Sequence, residues 1–595
     1  MTRRWTKLVL AVGFLCLTGA AGVAHTSPAT QYELSIYAAT PLAVWVLLGG
    51  AYLVSLGALT AGTRRVRTLG LTLGTASTML LVGLFLVRDY RYLGAGDALT
   101  HLGWTKAMAT GALDPIELLY PATHVLGVIL HAVVGGSFER NLLVVTVLFA
   151  LAYVLGTAVL VRRMTDSRWG LAMGVVSAWL FLPIINVASY MMPFPTTQAI
   201  FFAPFVFFAL VFFFQRGTQS TLHEGTTASG VLLLVLGSAL ILVHPQQAVN
   251  VVLVMVAIVG VQTLYRRHYP DHPVSRHQYS LIPAGILFGL LMLWLPFHPR
   301  SESAASGVYS GIAEALFGQA DAAATISQRG GSLTDLGAGL PVVVLKILGV
   351  SLVFLALSVV AVLSFWYFQS ETHELESFVL YLAAGAVPLA VLFGLYFLST
   401  PTIAFRQLAF VFIVVTILGA IELTHLFESL RERLSAPTVR AVAVVVLAVF
   451  LVFSALTVFP SPYIFKPNGH VTTQQMAGHQ SAFEYQDGSR EFVSIRTGPG
   501  RYAHGIYGVS DPVALDTAYS GTGIGEPTFE AGNYTETYTD PRYFIVTRSD
   551  YEREVTLYDG FRYSKEGFEQ LSRTPGVNKV LANGGLDLYT VGTAE

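Results

Sequence analysis

Charge is what this 595-residue chain has least of. Only 12% of its residues are Asp, Glu, Lys or Arg, against 53% that are hydrophobic. Soluble proteins carry roughly a quarter charged residues, so an ordinary globular fold is excluded. Cysteine is nearly missing too. Cys16 stands alone, which rules out an intrachain disulfide and any multi-cysteine metal site. Lys and Arg are nowhere dense enough to track a phosphate backbone, and the net charge is −1; nucleic acid is not an expected partner. The chain has no internal repeat of fixed period and no low-complexity linker.

The apolar residues fall in blocks of about 18 to 25, the length that crosses a hydrocarbon core of about 30 Å. The spans expected are 8–24, 35–60, 68–87, 142–160, 169–186, 199–214, 228–245, 246–264, 280–297, 341–367, 377–398, 407–424 and 440–459. At the N-terminus, Arg3, Arg4 and Lys7 precede the apolar run Leu8–Ala21, and Gly22-Val23-Ala24 follows. That pattern fits a cleaved signal peptide or a retained first helix. The retained helix is the reading taken, and either puts the next loop outside.

The segment from Pro121 to Gly135 is apolar but only about 15 residues long, too short to span. Charge bias tests that reading, because short cytoplasmic loops collect Lys and Arg. If 121–135 does not cross, the clusters Arg3/Arg4/Lys7, Arg64/Arg65/Arg67, Arg162/Arg163/Arg168, Arg266/Arg267/Arg276 and Arg431/Arg433/Arg440 all face inside. If it crosses, every later loop inverts. The first solution gives about 13 spans, a cytoplasmic N-terminus and an external tail.

Three divisions follow: 1–67 as N-terminal membrane helices, 68–459 as the main membrane domain with an external loop at 88–141, and 460–595 as a tail. The tail is rich in Gly, Tyr, Thr and charge. EFVSIRTG and RYFIVTRS read as short strands, Ser564 to Ser572 as a short helix, and VNKVL-ANGG-LDLYTV as a hairpin. The expected fold class is mainly α: a polytopic membrane helix bundle carrying a small C-terminal extracytoplasmic α/β domain.

Polar residues near the membrane collect on the outer side of this topology. In YLGAGDALTHLGWTKAM, Asp97, Thr100 and His101 lie at i, i+3 and i+4 and share a face if the segment is helical. Trp104 continues that face. Gly96 marks a loop leading into the helix, which puts Asp97 near its N-terminus, where a carboxylate is favoured and can serve as a general base. Lys106 and Tyr120 belong to the same external loop. MMPFPTT, His244, Arg300 and Arg406 sit at outer ends of spans. An arginine there can grip a phosphate at headgroup depth or simply snorkel as an anchor, and His244 can equally be a packing residue.

The order of these features resembles the membrane-integral glycosyltransferases of the GT-C type, which use polyprenyl-phosphate sugars. GDALTHL stands where the family carries an acidic motif in its first large external loop. GALDP…LLYPATHVL looks like the second half of that loop, where Tyr-Pro opens a helix lying along the membrane. Arg406 matches a late outer-end arginine near the lipid phosphate, and VLANGGLDLY looks like the endings of archaeal members. The nearest resemblance is to archaeal dolichol-phosphate-mannose mannosyltransferases of surface-layer protein N-glycosylation. The chain also departs from the pattern. Two spans precede the motif-bearing loop's leading helix. The motif is a lone Asp with a His rather than an acidic pair. MMPFPTT lacks the acid found in oligosaccharyltransferases, and the tail has no W-W-D-like motif. Those departures imply transfer of a single sugar, and one Asp with one His is a poor ligand set for Mg²⁺.

What the resemblance implies is an inverting transferase moving one hexose, mannose, from a dolichyl-phosphate carrier to a lipid-linked or protein-bound glycan outside the cell; no residue is assigned as a metal ligand, and assistance by a divalent ion stays open. Asp97 would be catalytic. His101, Lys106, Tyr120, His244, Arg300 and Arg406 would bind donor or acceptor, and membrane lipid would hold the prenyl chain. A flippase of lipid-linked sugars and a non-catalytic envelope assembly protein remain the alternatives.

Overall fold

A computed structural model describes residues 3–60, 63–165, 167–216, 221–223, 226–299, 301–302, 306–307, 309–310, 313, 339–367, 374–488, 490–496, 498–517 and 523–592. The protein is a bundle of helices with a small sheet near its C-terminal end. Among the described residues nine helices are long and apolar enough to cross a membrane. They include Phe138–Thr165, Pro245–His268 and Ala436–Ala455, and Pro195–Arg216 and Pro401–Arg433 contain two more. The other four expected spans correspond to Arg64–Val82 and to three shorter apolar helices, Gly170–Trp179, Ala228–Val243 and Leu281–Phe297. The chain is a multi-pass membrane protein by the length and composition of these helices.

The Pro121–Gly135 segment forms the helix Ala122–Val134. At 1.5 Å per residue it is about 20 Å long, short of a bilayer core. The expected 169–186 span is corrected. Its helix stops at Trp179, and the chain runs on as a buried loop to Pro195. Phe181 and Asn186 take positive φ there, at 44° and 53°, which no helix continues through. Backbone groups buried in such a loop need partners, and side chains supply them. The Ile185 amide donates to Ser189 Oγ (3.1 Å), Ser189 Oγ donates to the Pro183 carbonyl (2.5 Å), and the Tyr190 amide donates to Thr197 Oγ1 (3.1 Å). LFLPIIN is as apolar as a span, so hydropathy alone could not separate the two.

The C-terminal sheet orders its strands Glu491–Ser494, Arg542–Thr547, Leu586–Val591, Val577–Ala582. The first pair is parallel and the other two are antiparallel. Both expected strands, the helix (Lys565–Gln570) and the hairpin are present. One apolar cluster, with Phe529, Phe544 and Tyr589, fills one side of this sheet. On the other, Phe483, Phe492 and Tyr502 join the same cluster as the membrane helices. A two-residue ladder stitches the regions together. Tyr92 pairs with Val471 and Leu93 with His470, the Gly94 amide donates to the Gly469 carbonyl (2.7 Å), and His470 stacks on Tyr90 at 3.8 Å. The ladder ends three residues before Gly96, so the segment holding Asp97 starts from a pinned position.

Candidate functional site

The motif helix runs Asp97–Ala109. Gly96 leads into it at φ +74°, a conformation that costs a glycine little and other residues more. Asp97 is thereby the first helical residue, beside the exposed amides that favour a negative group. Asp97, Thr100, His101 and Trp104 all face one cavity of about 250 Å³. Its other walls are Tyr120, Phe194, Pro195, Thr196, His244, Arg406 and Arg501.

These side chains come from the beginnings of helices. Tyr120 immediately precedes the helix whose N-cap is Pro121. Phe194, Pro195 and Thr196 open Pro195–Arg216. His244 is the N-cap of Pro245–His268, and Arg406 lies in the second turn of Pro401–Arg433. Unpaired amides and macrodipoles at these ends make the cavity electropositive. Among the described residues its ionic groups are two guanidiniums against one carboxylate. Such a surround suits an anion, and phosphate above all.

The aromatic walls are tightly fixed. Tyr120 stacks on His244 with ring centroids 5.3 Å apart, and His244 Nε2 is 3.1 Å from Thr196 Oγ1. His101 Nδ1 lies 3.0 Å from His124 Nε2. His101 also meets Trp104 and Phe194 edge-on. Burial pushes His124 down to about 3, so this partner of His101 is neutral at physiological pH. Two buried polar atoms of cavity-lining residues have no hydrogen-bond partner among the described residues: Arg406 Nε and His244 Nδ1. Buried polar groups are normally hydrogen-bonded, and orphans next to a cavity are where a polar ligand would bind.

Of the residues singled out from sequence, Asp97, His101, Tyr120, His244 and Arg406 meet at this cavity. Lys106 does not. It lies nine residues beyond Asp97, about two and a half helical turns, and so faces away. Its Nζ donates to the carbonyls of Gly505 (2.6 Å) and Ile506 (3.2 Å) and sits 3.2 Å from Glu139. Its place is structural, between the motif helix and the C-terminal region. Arg300 lies outside the described residues.

Arg501 is the residue that sequence reasoning missed. It comes from the helix Pro499–Tyr507 in the C-terminal region. Its Nη2 is 3.0 Å from Asp97 Oδ1. Nothing in TGPGRYAHG distinguishes this arginine from the others of the tail. Among the described residues no group of three or more His, Cys, Asp and Glu gathers to hold a metal ion. The one carboxylate at the cavity is already ion-paired and His101 Nδ1 is engaged, a donor set that does not fit an oxygen-ligated divalent cation.

No protein-family model matches the sequence, and no curated protein matches it. Among solved structures the chain is distantly similar to ArnT from Cupriavidus metallidurans bound to undecaprenyl phosphate. The identity is 12% and the TM-score 0.45, over 88% of this chain and 98% of that one. It is likewise similar to the Archaeoglobus fulgidus oligosaccharyltransferase in complex with zinc and sulfate, at 13% identity and TM-score 0.44, over 83% of this chain and 71% of that one. The same enzyme tethered with an acceptor peptide gives 12% and 0.44, over 88% and 74%. At such scores no residue role passes from either protein to this one.

Proposed function

We propose that the protein is a glycosyltransferase that moves one hexose, mannose, from a dolichyl-phosphate carrier to a lipid-linked or protein-bound glycan on the outer face of the membrane. One observation carries this reading. Among the described residues, one carboxylate and two guanidiniums share one cavity at the beginnings of several membrane-associated helices. Moving a sugar off a lipid phosphate needs a base for the incoming hydroxyl and positive charge for the departing phosphate, and those are the groups present.

In the proposed reaction the acceptor oxygen attacks the anomeric carbon as the bond from that carbon to the phosphate oxygen breaks. The hydroxyl proton passes to the Asp97 carboxylate. The phosphate leaves with one more negative charge, which Arg406 and the helix N-termini are placed to meet. Preorganised charge of this kind costs no rearrangement at the moment of reaction. A single displacement inverts the sugar. His101, Tyr120 and His244 line the space for donor and acceptor. The prenyl chain would lie along the apolar flanks of the bundle, and the charge bias of the loops supports an extracytoplasmic cavity.

The test is glycan mass profiling of surface glycoproteins in a strain lacking the gene, complemented with wild type or with Asp97→Asn. A glycan shorter by one hexose in the deletion, restored by wild type and not by the variant, supports the reading. An unchanged profile in the deletion removes it. A flippase or an assembly protein would tolerate Asp97→Asn.

A further inference from the structure

The contact between Asp97 and Arg501 joins the motif helix to a part of the chain far away in sequence. The helix Pro499–Tyr507 packs directly on Asp97–Ala109, and two glycines permit the approach. A Cβ on Gly103 would come within 2.5 Å of the His504 carbonyl oxygen, and one on Gly505 within 3.0 Å of a Leu99 methyl. Lys106 secures the far end by donating to the carbonyls of Gly505 and Ile506, cation against helix C-terminus. His479, buried in the C-terminal region, stacks on Tyr502 at 3.6 Å. Arg501 therefore reaches the cavity from a seat fixed on several sides.

From that seat the guanidinium forks. Nη2 takes Asp97 Oδ1 at 3.0 Å, and Nη1 donates to Thr100 Oγ1 at 2.7 Å. Thr100 Oγ1 in turn lies 3.1 Å from His504 Nδ1. Among the described residues no other hydrogen bond reaches the Asp97 carboxylate. The side chains of Asp97 and Arg501 are 57% and 43% exposed, and ion pairs so exposed contribute little to stability. The contact makes a poor staple, but it fixes geometry: one carboxylate oxygen is held and the other is left for the acceptor hydroxyl.

We infer that Arg501 is a positioning residue for Asp97, and that the C-terminal region forms one wall of the reaction site instead of an appended module. This rests on the role proposed above for Asp97. Misplacing a base affects the chemical step and leaves binding of the carrier largely alone.

The experiment uses the full chain in detergent, dolichyl phosphate mannose as donor and a lipid-glycan extract of the deletion strain as acceptor. Binding of dolichyl phosphate is followed separately by tryptophan fluorescence, since Trp104 lines the cavity. Arg501→Gln is expected to lower kcat about 30-fold, the scale of a misplaced catalytic group, with donor KM and carrier affinity nearly unchanged. Arg501→Lys restores part of the rate, because an ammonium pairs with Asp97 but cannot fork. In an Asp97→Asn background Arg501→Gln costs nothing further, the mark of two residues acting as one unit. Gly103→Val changes no cavity side chain and displaces the seat of Arg501, so it reproduces the loss of kcat. It also keeps the test sharp should Arg501→Gln fold poorly.

Full transfer by Arg501→Gln while Asp97→Asn is inactive overturns this inference and leaves the proposed function standing. Full transfer by Asp97→Asn overturns the proposed function itself. A raised donor KM with unchanged kcat in Arg501→Gln would make Arg501 a donor contact, and the positioning role would be wrong.

Discussion

The two ends of the helix Pro401–Arg433 use the same residue for opposite purposes. Near its start, Arg406 faces a cavity, and its buried Nε has no hydrogen-bond partner among the described residues. Roughly 37 Å further along, Arg431 lies 4.7 Å from the centre of the Trp169 ring. Arg67 lies over that ring at 4.7 Å and Arg168 at 5.5 Å. Met173, Phe427 and Val439 pack beneath. Three cations thus gather on one aromatic ring, and Arg431 stands in the last turn of its helix, where positive charge is favoured. The lesson is that an arginine at the end of a membrane helix says little by type. Its surroundings separate an anchor from a ligand-binding group.

This contrast can be attacked experimentally. The largest effect is expected at the carboxylate. Asp97→Asn should reduce transfer of mannose from dolichyl phosphate mannose about 10³-fold, the range of a lost general base, with the unfolding temperature in detergent unchanged. Arg406→Gln should follow with a loss of about 10²-fold, as expected when a preorganised charge is removed from a developing anion, and it should also weaken dolichyl phosphate binding measured by fluorescence.

Acidity provides a third probe. Burial lowers His479, beside Tyr502, from 6.5 to about 4. The unfolded chain takes up that proton first as pH falls. Stability of this wall should therefore drop between pH 6.5 and about 4, by up to about 1.4 kcal/mol per unit. The protection of amides in the helix Thr473–Glu484, measured by hydrogen exchange relative to the intrinsic rate at each pH, should fall from pH 7 to pH 5, and His479→Phe should flatten the dependence. The Trp169 end should show no such change, since arginine holds its proton throughout. The smallest effect belongs to Arg67→Gln, where one cation–π contact is worth about 0.5–1 kcal/mol. Transfer should stay near wild type. A loss there as large as at Arg406 would erase the distinction between the two ends.

Much of the fold was legible because its physics is one-dimensional. A run either is long enough and apolar enough to cross a bilayer or it is not, and 121–135 was readable as too short. The loop after Trp179 was not readable, since its apolar residues are buried without being helical. Five cavity residues were legible for a related reason. Asp97, His101, Tyr120, His244 and Arg406 are polar groups beside apolar runs, where polarity is costly and so informative. Lys106 was placed with them by proximity in sequence, and helix periodicity turns it away.

Composition and charge bias were enough to establish a multi-pass helical membrane protein, its C-terminal sheet elements and a cluster of candidate polar residues, because burial cost and side-chain period act locally along the chain. Convergence was beyond their reach. That Arg501 grips Asp97, that Lys106 braces the junction, and that Arg406 opens on a cavity while Arg431 lies against a ring all depend on helix packing across hundreds of residues. Contacts of that kind leave no mark on either partner's local pattern, because an exposed arginine in a polar segment costs the same wherever it comes to rest.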